Sequence, residues 1–207
     1  MIFLPFVVAL VAAAYAIGSI PMGVVLTRCF STEDIRQAGS GNIGATNVSR
    51  VAGIRLGLAT LLLDLLKGTG PVLAAIFLVP GTTEWLVMLT GLAAFLGHLY
   101  PLYTGLRGGG KGVATAAGVF LAAVPAACLA AVLVFILVVL AFRRVSAGSL
   151  AAALSLPAGA WFFSFSPAYF FGAGCVAALV IFRHRQNLQR LFQGTEPPFF
   201  GGSSGSG

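Results

Sequence analysis

The sequence predicts an all-α fold: a polytopic transmembrane helical bundle of seven spans, N-terminus outside and C-terminus cytoplasmic. Three observations carry that expectation. Of 207 residues, 58% are hydrophobic and only 8% charged, against roughly a quarter charged in ordinary soluble domains. So few charges cannot cover a water-facing surface of this size, whereas lipid accepts apolar side chains. The apolar residues gather into runs suited to a hydrocarbon core, which takes about 20 helical residues to cross. Finally, the net charge of +7 comes in small groups between those runs, as the positive-inside rule requires. A nucleic-acid binder would need a broad basic face instead.

Met1 to Leu26 supplies the first span. It lacks a basic leading region and a clear cleavage site, so it reads as a retained span and not a signal peptide. Gly57 to Pro80 supplies the second, interrupted by Asp64 and Lys67, and Trp85 to Tyr103 the third. Gly112 to Phe142 would be about 46 Å long as one helix, more than a ~30 Å core needs. Pro125 divides it, and Ser164-Phe165-Ser166-Pro167 divides the long stretch Val145 to Phe182. Charge tests this count. With seven spans, Arg28, Arg36, Arg50, Arg55, Arg107, Lys111, Arg143, Arg144, Arg183, Arg185 and Arg190 share one side, and the other holds only Glu84. Lys67, inside a span, is the exception. Five spans with hairpins is the alternative, but it moves Arg143 and Arg144 to the wrong face. Residues 1–200 read as a single domain, and 201–207 as a flexible Gly/Ser tail. Cys29, Cys128 and Cys175 are scattered without metal-ligand spacing, so neither a metal nor a disulfide is expected.

Three polar motifs fall on the basic side. Gly39-Ser40-Gly41-Asn42-Ile43-Gly44-Ala45-Thr46-Asn47, followed by Ser49 and Arg50, combines turning backbone with side-chain donors, a concavity suited to phosphate. Its match to GxGxxG misleads, because that fingerprint follows a strand in a βαβ unit. A plain Gly-rich linker would not need such a density of donors. Gly109-Gly110-Lys111-Gly112-Val113-Ala114-Thr115 nearly completes a P-loop, but Gly112 stands where the magnesium-binding hydroxyl would be. What survives is a glycine-opened helix whose N-terminal dipole favours an anion, with Lys111 adding a charge. The third segment, from His184 to Glu196, sets His184, Asn187 and Leu191 on one helix face. It suits either chemistry near neutral pH or a basic end anchored to headgroups. Ser149 opens the sixth span near Arg143 and Arg144. Asp64 and Lys67, at i, i+3, are most simply a satisfied ion pair, and His98 a packed, hydrogen-bonded histidine.

GSGNIGATN at 39–47, GGKGVAT at 109–115 and HRQNLQRLFQGTE at 184–196 resemble the three signature motifs of the PlsY family. These are bacterial membrane acyl-phosphate:glycerol-3-phosphate acyltransferases. LDLLKG at 63–68 and GHLYP at 97–101 are similar to further family segments. The resemblance implies transfer of a fatty acyl group from acyl phosphate to the 1-hydroxyl of sn-glycerol 3-phosphate. Lysophosphatidate and phosphate would be the products, in the first acylation step of phospholipid synthesis. It implies no cofactor, no metal and no obligate protein partner, in a multi-pass protein of the bacterial inner membrane whose active site faces the cytoplasm. By motif position, Ser40, Gly41, Asn42, Gly44, Thr46 and Asn47, with Gly109, Gly110 and Thr115, would form the phosphate cradle. Arg50, Lys111, Ser149, His184 and Asn187 would hold glycerol 3-phosphate and polarise the reacting groups. The base would be His184 or the donor's own phosphate. The rival readings are a transporter of a phosphorylated solute and a non-catalytic assembly factor. Against the transporter, the polar residues gather at one face and no inverted repeat is evident.

Overall fold

The computed structural model describes residues 3–198, so the expected tail at 201–207 lies outside the described residues. Every regular element among them is helical. The chain divides into two compact units, Met1–Pro125 and Ala126–Gly207.

The first unit holds α1 (Phe3–Gly18), α2 (Met22–Phe30), α3 (Ala45–Ala52), α4 (Ile54–Leu78), α5 (Glu84–Leu99) and α6 (Val113–Ala123). Helix α4 is its hub, packing on α3, α5 and α6, and α1 lies along α5. Small residues set these approaches. A methyl on Gly18 would overlap the Ala94 carbonyl, and one on Gly97 the Tyr15 carbonyl. Gly68 meets the Thr115 carbonyl and Gly118 that of Leu65 in the same way. In lipid, where apolar side chains gain little from leaving the solvent, such backbone proximity supplies the packing energy.

Met1 to Leu26, expected as one span, is broken. Helices α1 and α2 meet at 45°, because Pro21 has no N–H to continue the ladder. A carbonyl freed at the break is satisfied from outside, where Lys67 Nζ of α4 donates to the Ile20 carbonyl at 2.8 Å, while the Ser19 hydroxyl bonds back locally to the Tyr15 carbonyl at 2.8 Å. Helix α5 starts where Thr83 accepts from the Leu86 amide, with Glu84 in its first turn, a favourable N-terminal charge. It ends at Leu99, before a 3₁₀ turn over Leu102–Thr104.

The second unit comprises α7 (Pro125–Phe142, from Ala126 onward), α8 (Val145–Ser164), α9 (Pro167–Arg183) and α10 (Arg185–Phe192). The breaks expected at Pro125 and at 164–167 are present. Phe165 takes a left-handed φ of 50° after α8, and Ser166 caps α9, accepting from the Tyr169 amide ahead of Pro167. Helices α8 and α9 pack together, and Gly148 of α8 sits against Phe135 and Val139 of α7.

Among the described residues, four helices are long and apolar enough to cross a membrane, or up to six if each bent pair is one span; α9 and α10 form the second such pair, bent by 61°. The remaining expected span, the fourth in chain order, corresponds to α6, which has 11 residues and is about 16 Å long.

Candidate functional site

The candidate residues divide between the two units. In the first, 39–47 wraps onto the start of α3, an amphipathic helix lying between the first two expected spans. Asn47, buried, organises the wrap: its Oδ1 accepts from the Ser40 amide at 2.8 Å, and its Nδ2 donates to the carbonyls of Ile35 at 3.0 Å and Ala38 at 3.1 Å. Asn47 therefore shapes the loop from inside. Asn42 accepts from the Gly44 amide at 2.9 Å, and Gly44 is the N-cap of α3. The amides of Ala45 and Thr46 then open the helix, with no carbonyl one turn back to receive them. Ser40 and Arg50 are exposed, and Thr46 is half-buried. Apolar support comes from Val24, Ile35, Ile43 and Val48, which form a buried cluster.

Nearby in sequence, the Asp34 carboxylate takes two hydrogen bonds from the Arg36 guanidinium, at 2.9 and 2.8 Å. Those bonds, with one from the Arg36 amide, hold the carboxyl down at about 2.

The second motif lies along the end of α5. The Gly110 amide donates to the His98 carbonyl at 3.2 Å. Gly109 leaves no room for a side chain against the Leu99 carbonyl, nor does Gly112 against the Phe95 ring. Gly112, at φ 82°, is the N-cap of α6. This seats Lys111, half-buried, just before the N-cap and two residues before the first residue of the helix. Thr115 is fully buried in the first turn and a half of α6, and its hydroxyl finds no hydrogen-bond partner among the described residues. Buried hydroxyls are ordinarily paired, and a helical threonine usually bonds back to its own ladder, so this one stands out.

In the second unit, Ser149 is buried in α8 and donates to the Val145 carbonyl at 2.9 Å. His184 is buried at the α9–α10 bend, with Nδ1 2.8 Å from the Val180 carbonyl. A carbonyl only accepts, so Nδ1 carries the proton of the neutral ring and Nε2 the lone pair.

Asn187 leads to a residue absent from the candidate set. Helix α10 ends in a Schellman turn: the Thr195 amide returns to the Arg190 carbonyl at 2.8 Å and the Gly194 amide to Leu191 at 3.2 Å, with Gly194 at φ 70°. The reversal brings Glu196 back over the helix. Its Oε1 accepts from Asn187 Nδ2 at 2.6 Å and its Oε2 from Arg190 Nε at 2.7 Å. Burial pushes the Glu196 carboxyl up, but the nearby Ser146 hydroxyl and the hydrogen bonds from Asn187 and Arg190 outweigh it and leave it below the usual glutamate value. The sequence signal was Gly194 two residues before the acid, a C′ glycine that turns the chain back. A carboxyl lowered in the fold favours folding above the free glutamate pKa of about 4.3, and this contribution fades as pH falls through the folded value. Glu196→Gln loses the charge-assisted bond to Arg190, worth about 1.5–3 kcal/mol. The variant should unfold earlier in a thermal melt at pH 7, and the gap should narrow as pH is lowered. A pH-independent gap would contradict the ion-pair account.

Among the described residues, no group of three or more His, Cys, Asp or Glu side chains could hold a metal ion.

The chain matches the glycerol-3-phosphate acyltransferase family over residues 8–194. The glycerol-3-phosphate acyltransferase of Syntrophotalea carbinolica is 51% identical over 188 residues, covering 90% of this chain and 94% of that one. That of Anaeromyxobacter sp. is 47% identical over 194 residues, covering 90% and 93%. The fold is similar to a crystal structure of PlsY (YgiH), an integral membrane glycerol 3-phosphate acyltransferase, in its glycerol 3-phosphate form. The TM-score is 0.88 at 41% identity, covering 94% of this chain and 96% of that one. The lysophosphatidic acid form of the same protein gives a TM-score of 0.86 at 40% identity. Motifs, helices and relatives agree: this chain is an integral membrane protein of the glycerol-3-phosphate acyltransferase family.

Proposed function

We propose that the acyl donor is an acyl phosphate, and that the chain moves its acyl group to the 1-hydroxyl of sn-glycerol 3-phosphate, giving lysophosphatidate and phosphate. The observation that carries this reading is the pairing of two glycine-rich helix starts in one unit, each suited to an anion, with the buried unpartnered Thr115 hydroxyl beside the second. Two anion-binding starts suit a reaction in which donor and acceptor are both phosphates. The PlsY relatives captured with glycerol 3-phosphate and with lysophosphatidic acid support the acceptor and the product.

The acyl phosphate headgroup is assigned to Ser40, Gly41, Asn42, Gly44 and Thr46, in a loop shaped by Asn47. The acceptor's phosphate is assigned to Arg50, Gly109, Gly110, Lys111 and Thr115; by motif position, Ser149, His184 and Asn187 of the second unit are assigned the part of polarising the reacting groups. The glycerol oxygen attacks the acyl carbon, the carbon–oxygen bond to phosphate breaks, and phosphate leaves. The proton passes to His184 Nε2 or departs on the phosphate, and either route balances. Phosphate is already a good leaving group, so positioning and charge stabilisation supply most of the acceleration. No step calls for a metal or an organic cofactor.

Seven spans, an outside N-terminus and a cytoplasmic C-terminus belong to the same proposal, as do one acyltransferase domain over 1–200 and a bacterial inner-membrane location with the site facing the cytoplasm. Their support is the segregation of eleven of the twelve basic residues to one side.

Purified protein given palmitoyl phosphate and glycerol 3-phosphate should release phosphate and form lysophosphatidate, and palmitoyl-CoA should not replace the donor. Product from palmitoyl-CoA alone would overturn the donor assignment.

A further inference from the structure

Asp64, Lys67 and His98 are charged or titratable, buried, and unused by the chemistry above. Asp64 Oδ1 lies 2.8 Å from Lys67 Nζ and 3.6 Å from His98 Nδ1. All three side chains are at least 96% buried. An ion pair alone would neutralise Asp64 and Lys67, with a second donor of Lys67 going to the Ile20 carbonyl. It would not need a histidine on the same oxygen.

The other edge of the His98 ring shows what the histidine touches. A methyl on Gly110 would overlap His98 Nε2 and come within 2.8 Å of its Cε1. The Gly110 amide also donates to the carbonyl of the same histidine. Gly110 is therefore held twice by one residue, by its backbone and by its ring. The next residue is Lys111. A ring free to rotate would give Gly110 no fixed wall, but this buried ring is enclosed between Gly110 at its Nε2 edge and the Asp64 carboxylate 3.6 Å from Nδ1.

We infer that Asp64 and His98 are positioning residues for glycerol 3-phosphate: Asp64 fixes the His98 ring, and the ring sets the place of Gly110 and so of the Lys111 ammonium. The inference rests on the proposed role of Lys111 in holding the acceptor's phosphate. It goes beyond it by adding a support built inside the transmembrane helices α4 and α5.

The test is a double-mutant cycle, since residues acting through one another are non-additive. His98→Asn keeps an amide nitrogen at the Nδ1 position for Asp64 but removes the edge that meets Gly110. It should raise the KM for glycerol 3-phosphate about tenfold, the scale of a sub-ångström misplacement, with the KM for the acyl donor and the thermal midpoint in detergent near wild type. In a Lys111→Ala background the same substitution should change the glycerol 3-phosphate KM less than twofold. His98→Gln, whose amide reaches the Nε2 position, should show a smaller rise, and it replaces Asn in the cycle if His98→Asn does not fold. An unchanged KM, a change confined to kcat, or a full tenfold rise persisting in Lys111→Ala would each overturn the inference while leaving the role of Lys111 standing. A Lys111→Ala single variant with normal kinetics would instead sink the reading of Lys111, and the inference with it.

Discussion

Lys111→Ala is expected to lower kcat/KM for glycerol 3-phosphate by about 10²–10³-fold, the usual cost of deleting one preorganised electrostatic contact. The magnitude follows from where the lysine sits. It is half-buried, two residues ahead of α6, on a loop whose glycines fit against the end of α5. A cation there adds to the partial positive charge of the helix start. Lys111→Arg keeps the charge, but its planar fork replaces a compact ammonium, so it should recover only part of the rate. Phosphate release measured with both variants decides the matter. A fall below threefold for Lys111→Ala would mean that the lysine is only a positive-inside residue.

Asp64→Ala should be the most destabilising single change in the first unit. Removing one partner of a buried pair leaves an uncompensated charge and costs about 3–5 kcal/mol. Here the survivor is Lys67, in the middle of α4 and left with the Ile20 carbonyl. Replacing both, as Asp64→Leu with Lys67→Met, removes both charges together and should return most of that stability. Thermal or denaturant midpoints in detergent are the readout. If the double variant were as unstable as Asp64→Ala, the pair would be contributing more than mutual neutralisation. The same double variant lacks the carboxylate that faces His98, so its stability should recover without its affinity for glycerol 3-phosphate.

What the sequence disclosed follows the reach of its physics. Pro125 and the Ser164–Pro167 turn mark helix ends by local chemistry, and both breaks are where the sequence predicts them. The Asp64–Lys67 pair is legible because i, i+3 spacing on a helix brings the two together. The bend at Pro21 was missed because hydropathy runs through it unchanged, although the proline itself was a signal. Helix α3 was hidden by the glycine-rich stretch before it and is too short to register as a span. The partnership of His98 with Asp64 and Gly110 joins α4, α5 and a loop, and no spacing rule reports a contact of that kind. Glu196 was quoted within its motif, but its bond to Asn187 depends on a chain reversal that only the Gly194 turn reveals.

Gly18, Gly97, Gly68 and Gly118, pressed against facing backbone, also bear on how natural variation in this chain should be read. Selection would hold these positions as tightly as Gly109 or Gly110, though they touch no substrate. Gly70 and Gly174, with nothing within 4 Å of an added methyl, would drift freely. Invariance of glycine across such proteins therefore marks two different debts, one to chemistry and one to architecture, and only the facing atom tells them apart.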